Sequence, residues 1–203
     1  MKKELKYFEI EQSFGGRQDW FRDMTMYFGG CAAVAACDSC IYFTLEKGET
    51  MLYPYDAAQL SREDYLKFSV VMKPYLRPRI QGVNTLELYL EGLEKYFQKV
   101  GETRIKMTGF SGDNTLNDAE KAIRLQMERK VPIPYLVLRH KKNNLKDYVW
   151  HWFMIVGYEE SEIEFLVKIA TYGTFRWLSL SELWNTGFRQ KGGMILYQLN
   201  NSV

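Results

Sequence analysis

The sequence predicts an α+β fold in which helices come first and a mostly antiparallel sheet comes second. Three observations indicate this order: an Ala-rich apolar run begins at Cys31, helical patterns with clear start and stop residues follow it, and the period changes after about residue 129. From there the chain consists of short runs rich in β-branched and aromatic residues, which are typical of strands. We therefore expect one domain over residues 1–203, with a helical lobe at about 1–128 and a sheet lobe at about 129–203.

The run CAAVAACDSCIYF predicts a central buried helix over about 31–44. Alanine has the highest intrinsic helix propensity, and a helix that is apolar on every side must be buried. Residues 14–30, which precede it, are rich in glycine and aromatic residues and have no clean period. We expect them to form a structured loop.

Two further helices are predicted from their end residues. The first starts with Ser61 and two acidic residues and should end near Pro74, because proline disrupts the turn before it. The second, LELYLEGLEKYFQKV, has Asn84 or Thr85 as its N-cap and Gly101 just past its end.

The last helix and the strands complete the pattern. Asn114 or Thr115 opens the helix LNDAEKAIRLQMERK, and RIKMTGF before it indicates a short strand. Polar turns then separate five predicted strands, which are VPIPYLVLRH, VWHWFMIVGYEE, IEFLVKIATYG, TFRWLSL and GGMILYQL.

Composition and charge exclude several classes of protein. Apolar residues make up 46% of the chain and charged residues 26%, which is ordinary for a globular protein. A net charge of +2 gives no large basic field, so we expect neither nucleic acid nor an anionic membrane surface as a partner. The chain has no apolar stretch of about 18 residues and no signal-peptide run after its N-terminal lysines, so no membrane-spanning helix is expected.

Three cysteines, Cys31, Cys37 and Cys40, cluster in one segment. An odd, clustered set does not form a secreted disulfide framework, so a reduced, cytoplasmic protein is predicted. Cys37 and Cys40 form a C-x-x-C pattern, but zinc would need further ligands and a redox motif would need a strand–helix junction. Buried structural thiols are the favoured interpretation, and we expect no metal and no cofactor.

Cys31 is the candidate nucleophile. It follows Gly29 and Gly30, a pair that permits a sharp turn and the close approach of a substrate backbone. The predicted helix begins at Cys31, and both a helix N-terminus and a neighbouring imidazolium favour the reactive thiolate. The free N–H groups of the first helical turn would also face an oxyanion there.

The chain has two histidines, which differ in their surroundings. His140 lies in the basic segment RHKKNNLKD, where we expect a solvated loop. His151 lies in the apolar strand VWHWFMIVGY and is either a core histidine with one hydrogen-bonded nitrogen or the partner of Cys31. Trp150 and Trp152 alternate with His151 along this strand, so both should point to the opposite face.

Three segments carry a resemblance to a known family. The segment GCAAVAA from Gly30 resembles the nucleophile helix of papain-like cysteine peptidases of the C39-like family. HWFMIVGY from His151 resembles the histidine strand of that family, and VKIATYG from Val167 is similar to the strand that carries the third catalytic residue. The order and the separation of roughly 120 residues between Cys31 and His151 also match. The resemblance implies a papain-like fold, with a buried nucleophile helix and a helical lobe packed on the sheet.

The third catalytic position departs from the family. Ala170 stands where the family has Asn or Asp, and its side chain cannot accept a hydrogen bond from the histidine. Thr171, the next residue, has a hydroxyl that serves instead if the strand register differs by one. Tyr172 takes the place of the family's tryptophan, whose ring shields the hydrogen bond of the histidine from water.

The oxyanion-hole glutamine is also displaced. The family carries it a few residues before the cysteine, where this chain has Met24-Thr25-Met26. Gln18 reaches the site only if residues 19–30 fold back, and the alternative is an exposed loop glutamine. The predicted substrate cleft is lined by Gly29, Gly30, Trp20 and Tyr172.

The resemblance implies a cysteine peptidase or amidase in which Cys31 attacks and His151 serves as general base and then acid. The expected substrate is a peptide or a small molecule with an acyl or amide group. Two alternatives stay open. One is a degenerate papain-like domain that binds a peptide or partner without turnover, and the other is an acyltransferase that passes the acyl group to an amine.

Overall fold

The structure, a computed structural model, describes residues 1–78 and 82–200. The helices in these ranges are α1 (Met24–Gly29), α2 (Cys31–Lys47), α3 (Arg62–Met72), α4 (Leu86–Val100), α5 (Leu116–Glu128) and α6 (Leu180–Trp184). The strands are β1 (Lys2–Glu4), β2 (Glu9–Ile10), β3 (Ser13–Phe14), β4 (Ile105–Ser111), β5 (Ile133–Val137), β6 (His151–Glu160), β7 (Phe165–Thr171), β8 (Thr174–Ser179) and β9 (Gly192–Leu199). The predicted α+β class with a mostly antiparallel sheet is confirmed.

The predicted helix ends are found at the capping residues. Ser61, Thr85 and Thr115 each accept a hydrogen bond from the backbone N–H three residues on, at 3.1–3.2 Å. Gly101 ends α4 in the left-handed conformation, with φ of 76°. The loop expected over 14–30 is partly helical, because Asp23 caps the short helix α1.

All strand pairs of the main sheet are antiparallel, in the order β4-β9-β5-β6-β7-β8, and β1 pairs with the far half of β6. Strands β5 to β8 follow one another as hairpins, and β9 returns between β4 and β5. Since β1 and β4 come from the first 128 residues, the sheet draws on both predicted lobes. The boundary at 128/129 is therefore a boundary in sequence and not in the sheet.

Two buried clusters cover the two faces of the sheet. Along β6, Trp152 and Met154 pack with α2, α3 and α4, whereas Phe153 and Ile155 pack with α5 and α6. This alternation is the period of two expected of a strand that is buried on both faces. Helix α2 is almost wholly buried and contacts β6 and α3, so it is the central helix that the Ala-rich run predicts.

The turn between α1 and α2 brings the start of α2 close to the start of β6. Gly30 caps α2 and packs so closely on the backbone of α1 that a Cβ atom would overlap the Met26 carbonyl oxygen. Only glycine fits at this contact. The consequence is that Cys31 and His151, the first residues of α2 and β6, lie at the same end of the fold.

No helix within residues 1–78 and 82–200 has both the length and the apolar character needed to cross a membrane.

Candidate functional site

Cys31 lies between two cavities. One is a small space of about 20 Å³, here called the inner cavity, whose walls include Gln18, Cys31, His151 and Thr171. The other is an open cleft of about 860 Å³, here called the outer cleft, whose walls include Phe28, Cys31 and Trp150. Cys31 is only 8% exposed. It lines both the outer cleft and the inner cavity, and the inner cavity has room for about one water-sized group.

His151 is fixed by two neighbours. Its Nε2 atom lies 2.7 Å from the hydroxyl oxygen of Thr171. The Tyr172 ring stacks on the imidazole at a centroid distance of 4.7 Å and an interplanar angle of 6°. The Tyr172 hydroxyl in turn donates to the Asp147 carbonyl, at 2.8 Å. These contacts hold the imidazole in one orientation and leave Nδ1 as the ring nitrogen for a second partner.

The Thr171 contact bears on the third position of the predicted site. Ala170 pairs with Met154 in the sheet and lines the inner cavity, but its methyl side chain has no atom that accepts a hydrogen bond. Thr171 is the last residue of β7 and presents its hydroxyl to His151. The shift by one residue replaces a carboxylate or amide with a neutral hydroxyl, which is a weaker acceptor.

Burial favours the neutral forms of both the thiol and the imidazole. Burial raises the pKa of Cys31 above that of an ordinary thiol, although the backbone N–H groups of Trp152 and Ala32 oppose this. Burial also lowers the pKa of His151 to about 4. No hydrogen bond joins the Cys31 thiol to His151 within the described part of the chain, and such contacts often tighten only with substrate. Shielding from water therefore favours a neutral pair over the thiolate–imidazolium pair that the sequence suggests.

Gln18 reaches the site. It begins a short 3-10 helix, Gln18–Trp20, and its side chain lines the inner cavity together with Cys31. Its amide nitrogen donates to the Tyr27 carbonyl at 2.6 Å. An amide group carries two N–H donors, so this bond orients the side chain and leaves a second donor for another acceptor. Residues 19–30 do fold back, as this candidate requires.

Two of the predicted cleft residues need correction. Trp20 packs edge-on against Tyr65 and under the Arg62 guanidinium, so it lines a separate surface depression and not the outer cleft. Gly30 faces the backbone of Met26 and not a substrate. Gly29 does line the outer cleft, and Tyr172 lines the inner cavity.

The two residues that flank the catalytic candidates have unusual backbone angles. Trp150, just before His151, and Tyr172, just after Thr171, have φ values of 57° and 53°. Bulky residues rarely adopt this left-handed conformation, and it is often found at functional sites. The kink turns Trp150 out of the strand into the outer cleft, whereas alternation predicts that it points to the opposite face. Trp152 does point away and stacks on Tyr89 in the core.

Asp38 is a residue of the candidate site that the sequence analysis does not predict. It lies between Cys37 and Cys40 in the C-x-x-C pattern, and it is buried and lines the inner cavity. It accepts hydrogen bonds from the hydroxyls of Tyr7 and Tyr65 and from the Gly16 N–H. A lone carboxylate within an apolar helix was the available signal, since a buried carboxylate needs donors.

The other polar candidates have structural surroundings. Cys37 and Cys40 are free thiols, fully buried in the core, and burial raises the pKa of each well above its ordinary value. His140 is buried and not solvated, because its Nε2 bonds the Glu182 carbonyl and its Nδ1 accepts from the Lys142 N–H. Within residues 1–78 and 82–200, no group of three or more His, Cys, Asp or Glu side chains is arranged to hold a metal ion.

Comparisons of the chain with protein-family models, curated proteins and solved structures find no match.

Proposed function

We propose that this protein is a thiol hydrolase of the papain-like kind that cleaves a peptide or amide bond with a Cys31–His151 pair. The observation that supports the proposal most directly is the inner cavity. Cys31 at a helix start, His151 with one hydrogen-bonded nitrogen and Gln18 with an oriented amide all line a space for about one water-sized group.

In the acylation step, Nδ1 of His151 accepts the proton of the Cys31 thiol as the sulfur attacks the carbonyl carbon. The carbonyl oxygen becomes an oxyanion, which takes hydrogen bonds from the Gln18 amide and the backbone N–H at the start of α2. The imidazolium then gives its proton to the leaving amine, and the C–N bond breaks to leave a thioester. In the second step, His151 takes a proton from water as the water oxygen attacks the thioester carbon. The C–S bond then breaks, the imidazolium returns its proton to the Cys31 sulfur, and a carboxylic acid is released.

This scheme assigns a tautomer to His151. If Nδ1 is the base, Nε2 must carry the proton at rest and donate it to the Thr171 hydroxyl oxygen, 2.7 Å away. The low pKa of the buried imidazole, about 4, keeps it in the neutral form that a base requires. Tyr172 covers one face of the ring and helps to exclude water from this hydrogen bond.

The Thr171→Val variant tests the tautomer. Valine has nearly the same shape but cannot accept the proton of Nε2, so His151 loses its orientation. A hydrogen bond of about 1–3 kcal/mol corresponds to a fall in kcat of about 5-fold to 150-fold. The measurement is kcat and KM on an activated amide, with Thr174→Val as the control because Thr174 is exposed and pairs with Thr171 across the hairpin. An unchanged kcat in Thr171→Val would refute the assigned role.

The outer cleft indicates the chemistry of the group that binds next to the thiol. Its walls are mainly apolar and include Met24, Phe28, Val83, Leu136, Leu138 and Trp150. Phe28 is 73% exposed and Met24 is 65% exposed, so large apolar side chains face solvent beside Cys31. We therefore expect the acyl side of the scissile bond to be apolar.

A series of acyl esters with increasing chain length measures this preference. Each added methylene that enters the cleft contributes about 0.8 kcal/mol, so kcat/KM should rise about fourfold per methylene until the cleft is filled. Phe28→Ser should flatten this dependence, because it removes an apolar wall. Phe175→Ser is the matched control, since Phe175 is also exposed but packs on Phe14. A preference for charged or short acyl groups would contradict the proposal for the cleft.

The proposal as a whole is tested by intact-mass detection of an acyl-enzyme. A panel of peptide anilides and acyl esters is offered to the protein and to Cys31→Ala. Adducts on the unmodified protein alone, followed by release of acid, support hydrolysis. Adducts that pass to an added amine faster than to water indicate acyl transfer, and the absence of any adduct with retained peptide binding indicates the degenerate binder.

A further inference from the structure

Asp38 is a buried carboxylate for which the hydrolytic scheme has no use. It lies on α2 about two turns after Cys31, and therefore on the same face of the helix. Its side chain is 3% exposed and lines the inner cavity. Removing a carboxylate from water is costly, so its contacts must compensate for the loss of hydration.

Three donors surround the carboxylate. The hydroxyls of Tyr7 and Tyr65 donate to different oxygens, at 2.8 and 2.9 Å. The backbone N–H of Gly16 lies 3.1 Å from each oxygen and is shared between them. Two of these donors are side-chain phenols. The third is the backbone N–H of Gly16, so the carboxylate holds the main chain of this loop.

The loop is built to approach Asp38 closely. Gly15 has a φ of 74°, and a Cβ atom there would lie 2.6 Å from a carboxylate oxygen of Asp38. A Cβ atom on Gly16 would overlap the Tyr65 hydroxyl. Both positions therefore need glycine, because the loop backbone packs directly against the Asp38 carboxylate and the Tyr65 ring.

Gln18 follows this loop, two residues after Gly16. Gln18 is held at its side chain by the Tyr27 carbonyl and at its main chain by the loop that Gly16 anchors. We propose that Asp38 is a positioning residue, which holds the Gln18 amide at the inner cavity by binding the backbone of Gly16. This role rests on the proposed function, in which Gln18 is an oxyanion donor.

The alternative is that Asp38 only stabilises the core. The two roles differ in one respect: a positioning residue acts through Gln18, so its effect on the chemical step must vanish when the Gln18 amide is removed. A stabilising residue has the same effect whether or not the amide is present.

The experiment is a double-mutant cycle between Asp38→Asn and Gln18→Ala, read as the single-turnover rate of acyl-enzyme formation by an activated ester at saturation. Asparagine has the size of aspartate but only one acceptor oxygen, so it weakens the Gly16 contact without leaving a void. We expect Asp38→Asn to slow acylation about 10-fold in the otherwise unmodified protein and less than about 2-fold when Gln18 is alanine, with the ester's KM unchanged.

Ser39→Ala is the matched control. Ser39 is the next residue on α2 and is buried, and it accepts a hydrogen bond from the Tyr197 hydroxyl. This variant should lower the melting temperature without changing the acylation rate. Equal slowing by Asp38→Asn in both Gln18 backgrounds, or no slowing in a folded variant, would overturn the positioning role. If the unmodified protein forms no acyl-enzyme at all, the proposed function fails and this role fails with it.

A second measurement needs no change at Asp38 and so stands even if Asp38→Asn does not fold. The titratable groups that contact this carboxyl, feel its charge or share its cavity are Tyr7, Tyr65, Tyr172, Cys31, Cys37 and His151. Burial raises the pKa values of the phenols and thiols, raises that of Asp38 to about 6 and lowers that of His151 to about 4. Only Asp38 is therefore expected to titrate near pH 6.

Protonation of Asp38 removes one acceptor oxygen and weakens the hydrogen bond from the Gly16 N–H. The acylation rate of the unmodified protein should therefore fall as the pH drops through 6, before His151 titrates near pH 4. In Gln18→Ala the fall near pH 6 should be absent, and the fall near pH 4 should persist. A fall in the acylation rate near pH 6 that is equally large in both proteins would overturn the proposal.

Discussion

Cys31→Ser is expected to lower the rate of acyl-enzyme formation by at least about 10³-fold, and Cys31→Ala should abolish it. A serine hydroxyl is a much weaker acid than a thiol, and burial lowers the pKa of the proposed base, His151, to about 4. So weak a base is able to accept a proton from a thiol that is attacking a carbonyl, but it gives little help to an alcohol. Cys37→Ala and Cys40→Ala are the controls, since both thiols are fully buried in the core.

His151→Ala should reduce the same rate by about 10²-fold to 10⁴-fold, the range for loss of a positioned general base. His140→Ala is its matched control, because His140 is also buried and hydrogen-bonded but contacts Glu182 and Lys142. The measurement is the burst of product from an activated ester, with the modified residue identified by peptide mapping. Equal bursts in His151→Ala and His140→Ala would exclude a dyad, and an adduct on Cys37 or Cys40 would exclude Cys31 as the nucleophile.

Because burial favours the neutral forms of Cys31 and His151, the choice of reagent for testing the thiol matters. Alkylation at mildly acidic pH detects a thiolate that already exists, but the buried thiol and imidazole both favour their neutral forms. Slow alkylation would therefore not argue against the dyad. The informative reaction is acylation, in which proton transfer to His151 accompanies attack on a carbonyl.

Much of the fold could be predicted because it depends on local signals. The Ala-rich run from Cys31 gives the central helix, and Thr85 and Gly101 bound α4 as their cap chemistry requires. Strand β1 could not be predicted in this way. This strand, Lys2–Glu4, is only three residues long and all three residues are charged. Its extended conformation depends on pairing with the far half of β6.

The residues of the candidate site also differ in whether local or distant parts of the chain determine their positions. Cys31 and His151 could be found from their local context, a glycine pair before a helix and an apolar strand. Gln18 and Thr171 depend on a loop path and on a strand register, neither of which is set by nearby residues. Asp38 needs the whole fold, because its donors come from segments far away in the chain.

The second large prediction concerns Gln18, the proposed oxyanion donor, which lines the small inner cavity. Gln18→Ala should slow acylation by about 10²-fold to 10³-fold, the usual effect of removing one oxyanion donor, while KM changes little. Gln59→Ala is the control, since Gln59 is exposed and also lies in a short 3-10 helix.

Gln18→Glu separates the oxyanion role from a structural one. Both substitutions remove the hydrogen bond from the amide nitrogen to the Tyr27 carbonyl, so both should destabilise the loop to a similar extent. A glutamate, however, places a carboxylate where the oxyanion develops, and like charges at that distance repel each other. If Gln18 is an oxyanion donor, Gln18→Glu must be slower than Gln18→Ala at neutral pH and recover towards it as the glutamate is protonated. If the two variants are equally slow at every pH, Gln18 only shapes the loop, and the oxyanion is held by the backbone at the start of α2 alone.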